Sequence, residues 1–325
     1  MGKIVKFVSV ITCVILFYFT LDSAVKVFNT NWKLPEELKE ELTDKRIVLI
    51  THELETPFWD SVSAGAKQQA EQAGARLEIL GSYGNNQEDF LKQIEIAIYS
   101  KVDGIIVQGV DTEEFKELTK VKASSYGVPV ITVANDVPMA ESLRRTYVGS
   151  DQILAGRMIA EQLVEDMGES GEVVLVIDRT QEFYQAQRLK GIQEYLSNYP
   201  EIKLIEAETE DTREQVIATT KDLLNRIPDV DAFITLNAKF ADDLVEEIDR
   251  RSNVEAFYIY SFDDDPSSLS LLEEGKIDGM IEQSPSMMGE LSVELMMNWL
   301  NREVLPLNLD GYLTDIQMVE QVDDE

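Results

Sequence analysis

The sequence predicts an α/β protein with two lobes, preceded by one N-terminal transmembrane helix. Three observations lead to this fold class. Short apolar runs alternate with helical stretches from residue 46 onward, at least nine of these runs have the composition of buried parallel strands, and one uncharged apolar segment precedes them. A length of 325 residues is too great for one compact core, which also favours two lobes.

The uncharged segment comes first along the chain. Residues 1–6 carry two lysines and no acid, and residues 7–21 carry no charge, so the length suits a signal-peptide core or a short transmembrane helix. Both processing signals are poor. Asp22 occupies the −3 position of a cut after Ala24, and Cys13 stands in the middle of the apolar run. These features favour an uncleaved anchor.

The lysines Lys3 and Lys6 predict the orientation of this anchor. Positive charges remain on the cytoplasmic side, so residues 22–325 are expected outside the cytoplasm. Residues 1–21 then form the cytoplasmic start and the anchor. Residues 22–44 form a juxtamembrane stalk with a short amphipathic helix from about Pro35.

The strand-like runs are rich in Val, Ile and Leu and are separated by helical stretches. Such βα repeats predict parallel sheets with helices on both faces, and the rhythm is interrupted near 145–151, where the lobes are expected to divide. The predicted strands lie at 46–51, 76–80, 104–109, 128–134, 172–178, 202–208, 231–236, 256–262 and 277–283.

Parallel sheets bind ligands outside the carboxyl ends of their strands. The loops at those ends are rich in Asn, Gln, Asp, Thr and aromatic residues, a composition that suits a neutral polyhydroxyl ligand better than an anion. The positions selected by this rule are Thr51 to Trp59, Gln108 to Asp111, Ala134 to Asp136, Asp178 to Phe183, Asn237, and Phe262 to Asp265.

Composition excludes several classes of protein. A net charge of −32 repels nucleic acid, so a DNA-binding regulator is disfavoured. One cysteine and one histidine provide neither a disulfide nor a Cys/His metal site. No nucleophile-elbow, dinucleotide-binding or phosphate-loop motif occurs, so no catalytic residue, cofactor or metal is expected. The run Asp263–Asp265 admits a cation site, but we favour a loop that starts the next helix at Pro266.

Several segments together resemble type I periplasmic sugar-binding proteins of the ribose-binding-like group. They run in order across about 45–320 and include RIVLITHELETPFWDSVSAGAKQQAEQAG, KVDGIIVQGVD, GVPVITVANDVP, YVGSDQILAGRMIAE, FITLN, IYSFDDDP and IDGMIEQSPSMMGELSVELM. The resemblance implies two Rossmann-like lobes, hinge-connected by three crossovers, that close on a sugar such as a pentose. The first lobe would comprise 45–149 plus about 284–310, and the second 150–283 plus about 311–325.

The resemblance also implies ligand-binding residues. In the first lobe Thr56, Phe58 and Trp59 match a polar residue and two aromatics that contact the sugar, and Gln108 matches the polar end of the third strand. Thr51 ends the first strand beside them. In the second lobe and hinge, Asn237, Asp263 and Gln283 match residues that face the sugar. Ser150 and Asp151 match the first crossover, where an N-cap role for Asp151 has at least as much support as ligand contact.

Two positions depart from the family pattern. Ala134 stands where an aspartate is usual, so Asn135 and Asp136 become the candidate hydrogen-bonding residues. Ala186 stands where a ligand-binding arginine is usual. Phe183 and Gln181 are the candidates for that space, and Arg188 matches a second arginine of the family that is more often structural.

The motifs THELETPFW and GNNQED resemble in particular membrane-anchored sugar sensors of Gram-positive bacteria that partner a histidine kinase. The sequence therefore predicts a non-enzymatic, extracellular sugar receptor that is tethered to the membrane and signals to such a kinase. The alternative is the receptor of a sugar ABC importer, with a permease as its partner. A transcriptional regulator's effector domain would require an N-terminal helix-turn-helix with basic residues, and residues 1–44 instead predict a membrane helix. A carboxylate glycosidase has no support beyond the general abundance of acids.

Overall fold

The computed structural model describes residue 2 and residues 16–21, 45–84, 86–180, 182–250, 257–262 and 266–320. Most of the predicted anchor, the whole predicted stalk, Asp263 and Gln181 lie outside the described residues. Residues 16–21 are helical. Within these ranges, no helix combines the length and the apolar character required to cross a membrane. Both lobes lie in the compact unit Asp44–Glu325.

The first lobe is built on a six-stranded sheet with the strand order β11-β5-β4-β3-β1-β2. All five pairings in it are parallel, which confirms the predicted α/β architecture. Its strands are β1 (Arg46–Thr51), β2 (Arg76–Gly81), β3 (Gly104–Gln108), β4 (Val130–Val133), β5 (Tyr147–Gly149) and β11 (Tyr312–Leu313).

The second lobe repeats this arrangement with the order β12-β10-β9-β8-β6-β7. Four of its pairings are parallel, and β12 closes the edge antiparallel to β10. Its strands are β6 (Ser170–Asp178), β7 (Glu201–Thr209), β8 (Ala232–Thr235), β9 (Tyr258–Phe262), β10 (Gly279–Glu282) and β12 (Gln317–Glu320).

Helices cover both faces of each sheet. The segment α3 is α-helical at Glu113–Lys116 and Ser124–Tyr126 and π-helical at Glu117–Ala123. The other helices are α1 (Pro57–Ala73), α2 (Gln87–Tyr99), α4 (Met139–Ser142), α5 (Gln152–Met167), α6 (Phe183–Leu196), α7 (Arg213–Arg226), α8 (Lys239–Asp249), α9 (Pro266–Glu273) and α10 (Pro285–Leu300).

Alternating side chains of the central strands fill two cores in each lobe. On β1, Ile47 and Leu49 pack with α1 and α10, whereas Val48 and Ile50 pack with α2 and α3 on the opposite face. All four side chains are buried. A strand that is covered on both faces needs apolar residues at consecutive positions, which is the pattern that predicted the parallel sheet.

Three short strands were not predicted. β5 lies in the segment that the sequence showed as an interruption, and β11 and β12 have two and four residues. Such runs are too short to show periodicity. β11 pairs with β5 in the first sheet, and the chain enters the second sheet at Gln317. The lobe boundary at about 311 stays a prediction.

The chain passes between the lobes three times. The crossovers are β5 to α5, β10 to α10, and β11 to β12, in agreement with the predicted three-segment hinge. The helix α10 returns to the first lobe and packs against α1. This connectivity places the carboxyl ends of both sheets on either side of one cleft.

Candidate functional site

A cavity of about 640 Å³ lies between the lobes at the carboxyl ends of the strands. Its walls come from the loops after β1, β3 and β4 in the first lobe and from the loops after β6, β7 and β8 in the second. A volume of this size suits a small-molecule ligand. Of the predicted site residues, Thr56, Phe58, Trp59, Gln108, Asn135, Arg188, Asn237 and Gln283 line it.

Two aromatic rings form the first-lobe wall. Pro57 occupies the first turn of α1, where the N–H that proline lacks would have no helical partner. Phe58 and Trp59 follow it directly in the same turn. Their rings lie 5.6 Å apart in an edge-to-face arrangement. Trp59 is 3% exposed and belongs to the lobe core, whereas Phe58 is partly buried.

The side-chain amide of Gln108 is held by hydrogen bonds from the last residue of β1 and the residue after it. Its Oε1 atom accepts hydrogen bonds from the Thr51 hydroxyl at 3.0 Å and from the His52 backbone N–H at 2.8 Å. These bonds orient the Nε2 donor group toward the cavity side, where it contacts Glu53 at 3.4 Å. The predicted residue Thr51 is fully buried and outside the cavity lining, so its contact is with Gln108.

The second-lobe wall is organised around Arg188. Its guanidinium is buried, donates to Gln152 Oε1 at 2.7 Å and to the Leu236 carbonyl at 3.0 Å, and lies over the rings of Tyr184 and Phe262. A planar guanidinium suits this combination of hydrogen bonding and stacking. Arg188 thus holds together the elements that carry the second-lobe wall.

Amide side chains complete the site at the hinge and at the start of α8. Gln283 is buried and its Oε1 accepts from the Ser150 hydroxyl at 2.6 Å, which joins two crossovers. Asn237 lies two residues after β8, and its side-chain oxygen accepts a hydrogen bond from the backbone N–H of Lys239. Asp151 does not line the cavity and caps α5 through the Leu154 N–H, so the N-cap interpretation holds.

Two further predicted site residues lie away from the cavity lining. Asp136 faces Arg144, which binds it through two hydrogen bonds of 2.6 and 2.7 Å, and Thr132 donates a third. Such a two-pronged pair fixes the loop after β4. Phe183 begins α6 but does not line the cavity, whereas the next residue, Tyr184, does. The remaining candidate, Asp263, lies outside the described residues.

An ion pair that the sequence did not predict joins the two lobes. Glu53, after β1, accepts a hydrogen bond of 2.7 Å from the Nζ of Lys239, which begins α8 of the second lobe. Burial favours the neutral acid, but the Lys239 charge and hydrogen bonds lower the pKa of Glu53 below its usual value. Burial opposes the charge of Lys239 as well, yet Glu53 raises its pKa. Both pKa shifts show that the charged forms of Glu53 and Lys239 are favoured in the folded protein.

Glu182 lies where the second lobe approaches the loop after β3. The Asp111 backbone N–H lies 3.5 Å from its carboxylate, a weak contact between lobes. Burial raises the pKa of Glu182 to about 7, and the carboxylates of Asp111, Asp178 and Glu53 add to this effect. The negative charges in the cavity therefore repel one another.

His52 is a half-buried residue of the cavity lining. Burial lowers the pKa of its imidazole, and the charge of Lys239 adds to this effect although Glu53 opposes it. The ring lies edge-on against Phe90 at 5.3 Å. Among the described residues, no cluster of His, Cys, Asp or Glu could hold a metal ion.

Comparisons with known proteins agree with this geometry. Residues 47–303 match the family model described as a periplasmic binding protein domain. The ribose import binding protein RbsB of Bacillus subtilis is 23% identical over 89% of this chain and 91% of its own length.

Two solved structures show the same fold. GanP, a glucose-galactose binding protein from Geobacillus stearothermophilus, is 27% identical with a TM-score of 0.79, over 86% of this chain and 98% of GanP. The XylFII-LytSN complex matches with 26% identity and a TM-score of 0.74, over the same shares of each chain.

Proposed function

The chain belongs to the periplasmic binding protein domain family as a type I sugar-binding protein, a binding protein and not an enzyme, and on this premise we propose that it is a membrane-anchored extracellular receptor for a neutral monosaccharide such as a pentose. The sugar would bridge the two lobes and stabilise the closed form through contacts that the open form lacks. The closed receptor would then signal to a membrane partner.

The observation that carries this proposal is the pairing of aromatic and amide groups across one cavity. Phe58 and Trp59 offer faces and edges for the C–H groups of a sugar ring, while Gln108, Asn237 and Gln283 offer directional hydrogen bonds. The aromatic residues and Gln108 belong to the first lobe. Asn237 belongs to the second lobe and Gln283 to the hinge, so one ligand would contact both sides of the cleft.

The charges in the cavity favour a neutral sugar. Within the part of the chain that the structure describes, four carboxyl groups line it, from Glu53, Asp178, Glu182 and Asp211, against the two cations Arg188 and Lys239. Arg188 is engaged by Gln152 and Leu236, and Lys239 by Glu53 and, at 3.8 Å, Asp211. A sugar acid would add a negative charge to this field, at an electrostatic cost.

The membrane anchor is part of the proposal on the strength of the sequence. Residues 4–21 contain one charge, Lys6, and the lysines at their start favour export of everything that follows. A tethered receptor would remain at the cell surface beside its partner.

Two partners are supported by different observations. The likeness to the XylFII-LytSN complex supports a histidine kinase as the partner, as the N-terminal anchor does. The likeness to ribose import binding proteins supports the alternative, a sugar ABC importer with a permease as the partner.

Calorimetric titration tests the sugar. The fragment 44–325, a compact unit, is titrated with neutral pentoses, hexoses, disaccharides and uronic acids. We expect heat with at least one neutral monosaccharide and none with the uronic acids. Asn237→Ala should weaken binding, whereas the exposed control Asn198→Ala should not. Heat with no neutral sugar would remove the proposal.

Crosslinking in cells tests the partner. A photoreactive residue is placed at exposed surface positions of the full chain, and the captured membrane protein is identified with and without the bound sugar. Capture of a histidine kinase supports the sensor, and capture of an ABC permease supports the importer.

A further inference from the structure

The contacts between the lobes point to a function for two residues that the sugar site by itself does not require. We propose that Glu53 and Lys239 form an electrostatic latch across the mouth of the cleft, which favours the closed form and holds the Glu53 carboxylate against the ligand cavity. Closure needs no ligand in this proposal, and the part that concerns ligand contact rests on the proposed sugar-binding function.

The position of the pair makes it specific to the closed form. Glu53 belongs to the loop after β1, Lys239 begins α8, and the two residues lie in different lobes. Their 2.7 Å contact exists only while the lobes are together. Any motion that opens the cleft must separate the two charges, so their attraction stabilises the closed form and not the open form.

Each partner is held in place by its own lobe. The second carboxylate oxygen of Glu53 lies 3.4 Å from Trp59 Nε1 and 3.4 Å from Gln108 Nε2. The backbone N–H of Lys239 donates to Asn237, and its Nζ also lies 3.8 Å from Asp211. The side chain of Glu53 is 25% exposed and that of Lys239 is 48% exposed. The contacts of Glu53 within its own lobe restrict its side chain, whereas the more exposed Lys239 side chain loses conformational entropy when the pair forms, so the pair contributes at most about 1 kcal/mol.

The same geometry connects the latch with ligand recognition. The Glu53 oxygen near Trp59 and Gln108 makes long contacts, and it borders the cavity. A sugar hydroxyl placed there would donate a shorter hydrogen bond to this carboxylate. Lys239 thus acts as a positioning residue for a ligand-contacting Glu53.

The latch also counters repulsion between the lobes. The chain carries a net charge of −32, and carboxylates of both lobes face the cleft. Repulsion of this kind favours the open form, and a cross-cleft cation opposes it at the mouth of the cleft.

Distances between labels test the latch without any ligand. The fragment 44–325 has no cysteine, since Cys13 precedes it, so Glu88→Cys and Glu214→Cys place one spin label on the exposed first turn of a helix in each lobe. We expect Lys239→Met to lower the ratio of closed to open molecules by about two- to fivefold and Lys239→Arg to retain it. An unchanged ratio in Lys239→Met would overturn the latch.

Matched variants separate the latch from a general effect of lost charge. Lys203→Met breaks the Lys203–Glu172 pair of 3.0 Å, which lies within the second sheet, and should leave the distances unchanged. Circular dichroism verifies that each variant is folded. A change in the closed fraction for Lys203→Met equal to that for Lys239→Met would likewise contradict the proposal.

Binding kinetics test the contact between Glu53 and the ligand. With a sugar found by calorimetry, Lys239→Met should raise the dissociation rate with little change in the association rate, and Glu53→Gln should weaken binding more than Lys239→Met. Equal affinity of Glu53→Gln and the parent would contradict ligand contact. If the parent binds no sugar, the proposed function fails, and the label distances still decide on the latch.

Discussion

Individual side chains at the cleft differ in how deeply they are buried, and we expect this to separate ligand contact from support of the lobe. Trp59 borders the cavity but is buried in the first-lobe core, whereas Phe58 is only partly buried. We therefore expect these adjacent aromatic residues on one helix turn to have different functions. Their sequence neighbourhood is the same, so only burial distinguishes them.

Truncation of the two rings should separate these functions. We expect Phe58→Ala to weaken sugar binding about tenfold with a small loss of stability, because the ring contributes mainly to the wall. Trp59→Ala should lower the free energy of unfolding by about 3–5 kcal/mol, since it opens a cavity in the core. Titration and urea unfolding measure the two effects. The control Phe257→Ala, at the second-lobe core, should leave affinity unchanged; unaltered affinity in Phe58→Ala would contradict the assignment.

Glu182 predicts a pH dependence of stability. Burial beside Asp111, Asp178 and Glu53 raises its pKa to about 7, above the value of about 4.5 in the unfolded chain. The folded state therefore retains a proton that the unfolded state has released. The resulting stabilisation is complete below pH 4.5 and is lost as the pH rises through 7.

The substitution Glu182→Gln should remove this dependence. Between pH 5 and pH 8 the parent should lose on the order of 2 kcal/mol of unfolding free energy that the variant does not lose. Urea unfolding of the fragment at several pH values measures this difference. The exposed control Glu194→Gln should show the same pH dependence as the parent. If the unfolding free energies of the parent and Glu182→Gln change equally with pH, the pKa of Glu182 is not raised in the folded state.

At the level of elements, each lobe depends on one close helix pair. In the first lobe α1 and α10 meet at Gly65 and Gly289, where an added Cβ would lie 2.1 Å from the Ser286 carbonyl oxygen and 1.9 Å from that of Val62. In the second lobe α5 and α6 meet in the same way at Gly156 and Gly191. Only glycine allows the two backbones to approach so closely.

Alanine at one of these contacts should separate the helices. We expect Gly289→Ala to lower the free energy of unfolding by about 1–3 kcal/mol, because the methyl group overlaps backbone atoms that cannot move aside alone. Urea unfolding measures the loss. Lys67→Ala on the exposed face of α1 should change stability by less than about 0.5 kcal/mol. A neutral effect of Gly289→Ala would mean that the helices can shift without cost.

The elements also show which patterns the sequence made visible. Long buried strands such as β1, β3 and β6 have enough consecutive apolar residues to be predicted with their approximate ends. The two-residue strand β11 has no such pattern, and only its pairing with β5 defines it. Short edge strands are properties of the assembled sheet and not of the local sequence.

For the whole molecule, the net charge of −32 determines how stability responds to salt. Like charges spread over one compact unit repel one another at low ionic strength, and this repulsion weakens the folded state. Salt shortens the range of the repulsion from about 30 Å at 0.01 M to about 3 Å at 1 M.

The melting temperature of the fragment should therefore rise with salt. We expect an increase of a few degrees between about 0.01 M and about 1 M NaCl, equivalent to roughly 1–2 kcal/mol. Scanning calorimetry measures it. Sucrose, which stabilises through exclusion from the surface without screening, provides the control. A melting temperature that is constant or falls with NaCl would show that attractive ion pairs outweigh the repulsion.

The sequence by itself determined the α/β class, the two lobes and the segments that border the cleft, because buried parallel strands require continuous apolar runs and ligands bind at their carboxyl ends. Only the tertiary structure decided which side chains of those segments face the cavity. It turned Asp136 toward Arg144 and Thr51 toward Gln108, and it joined Glu53 to Lys239 across 186 positions of sequence. These choices depend on partners from distant parts of the chain, and no local pattern encodes them.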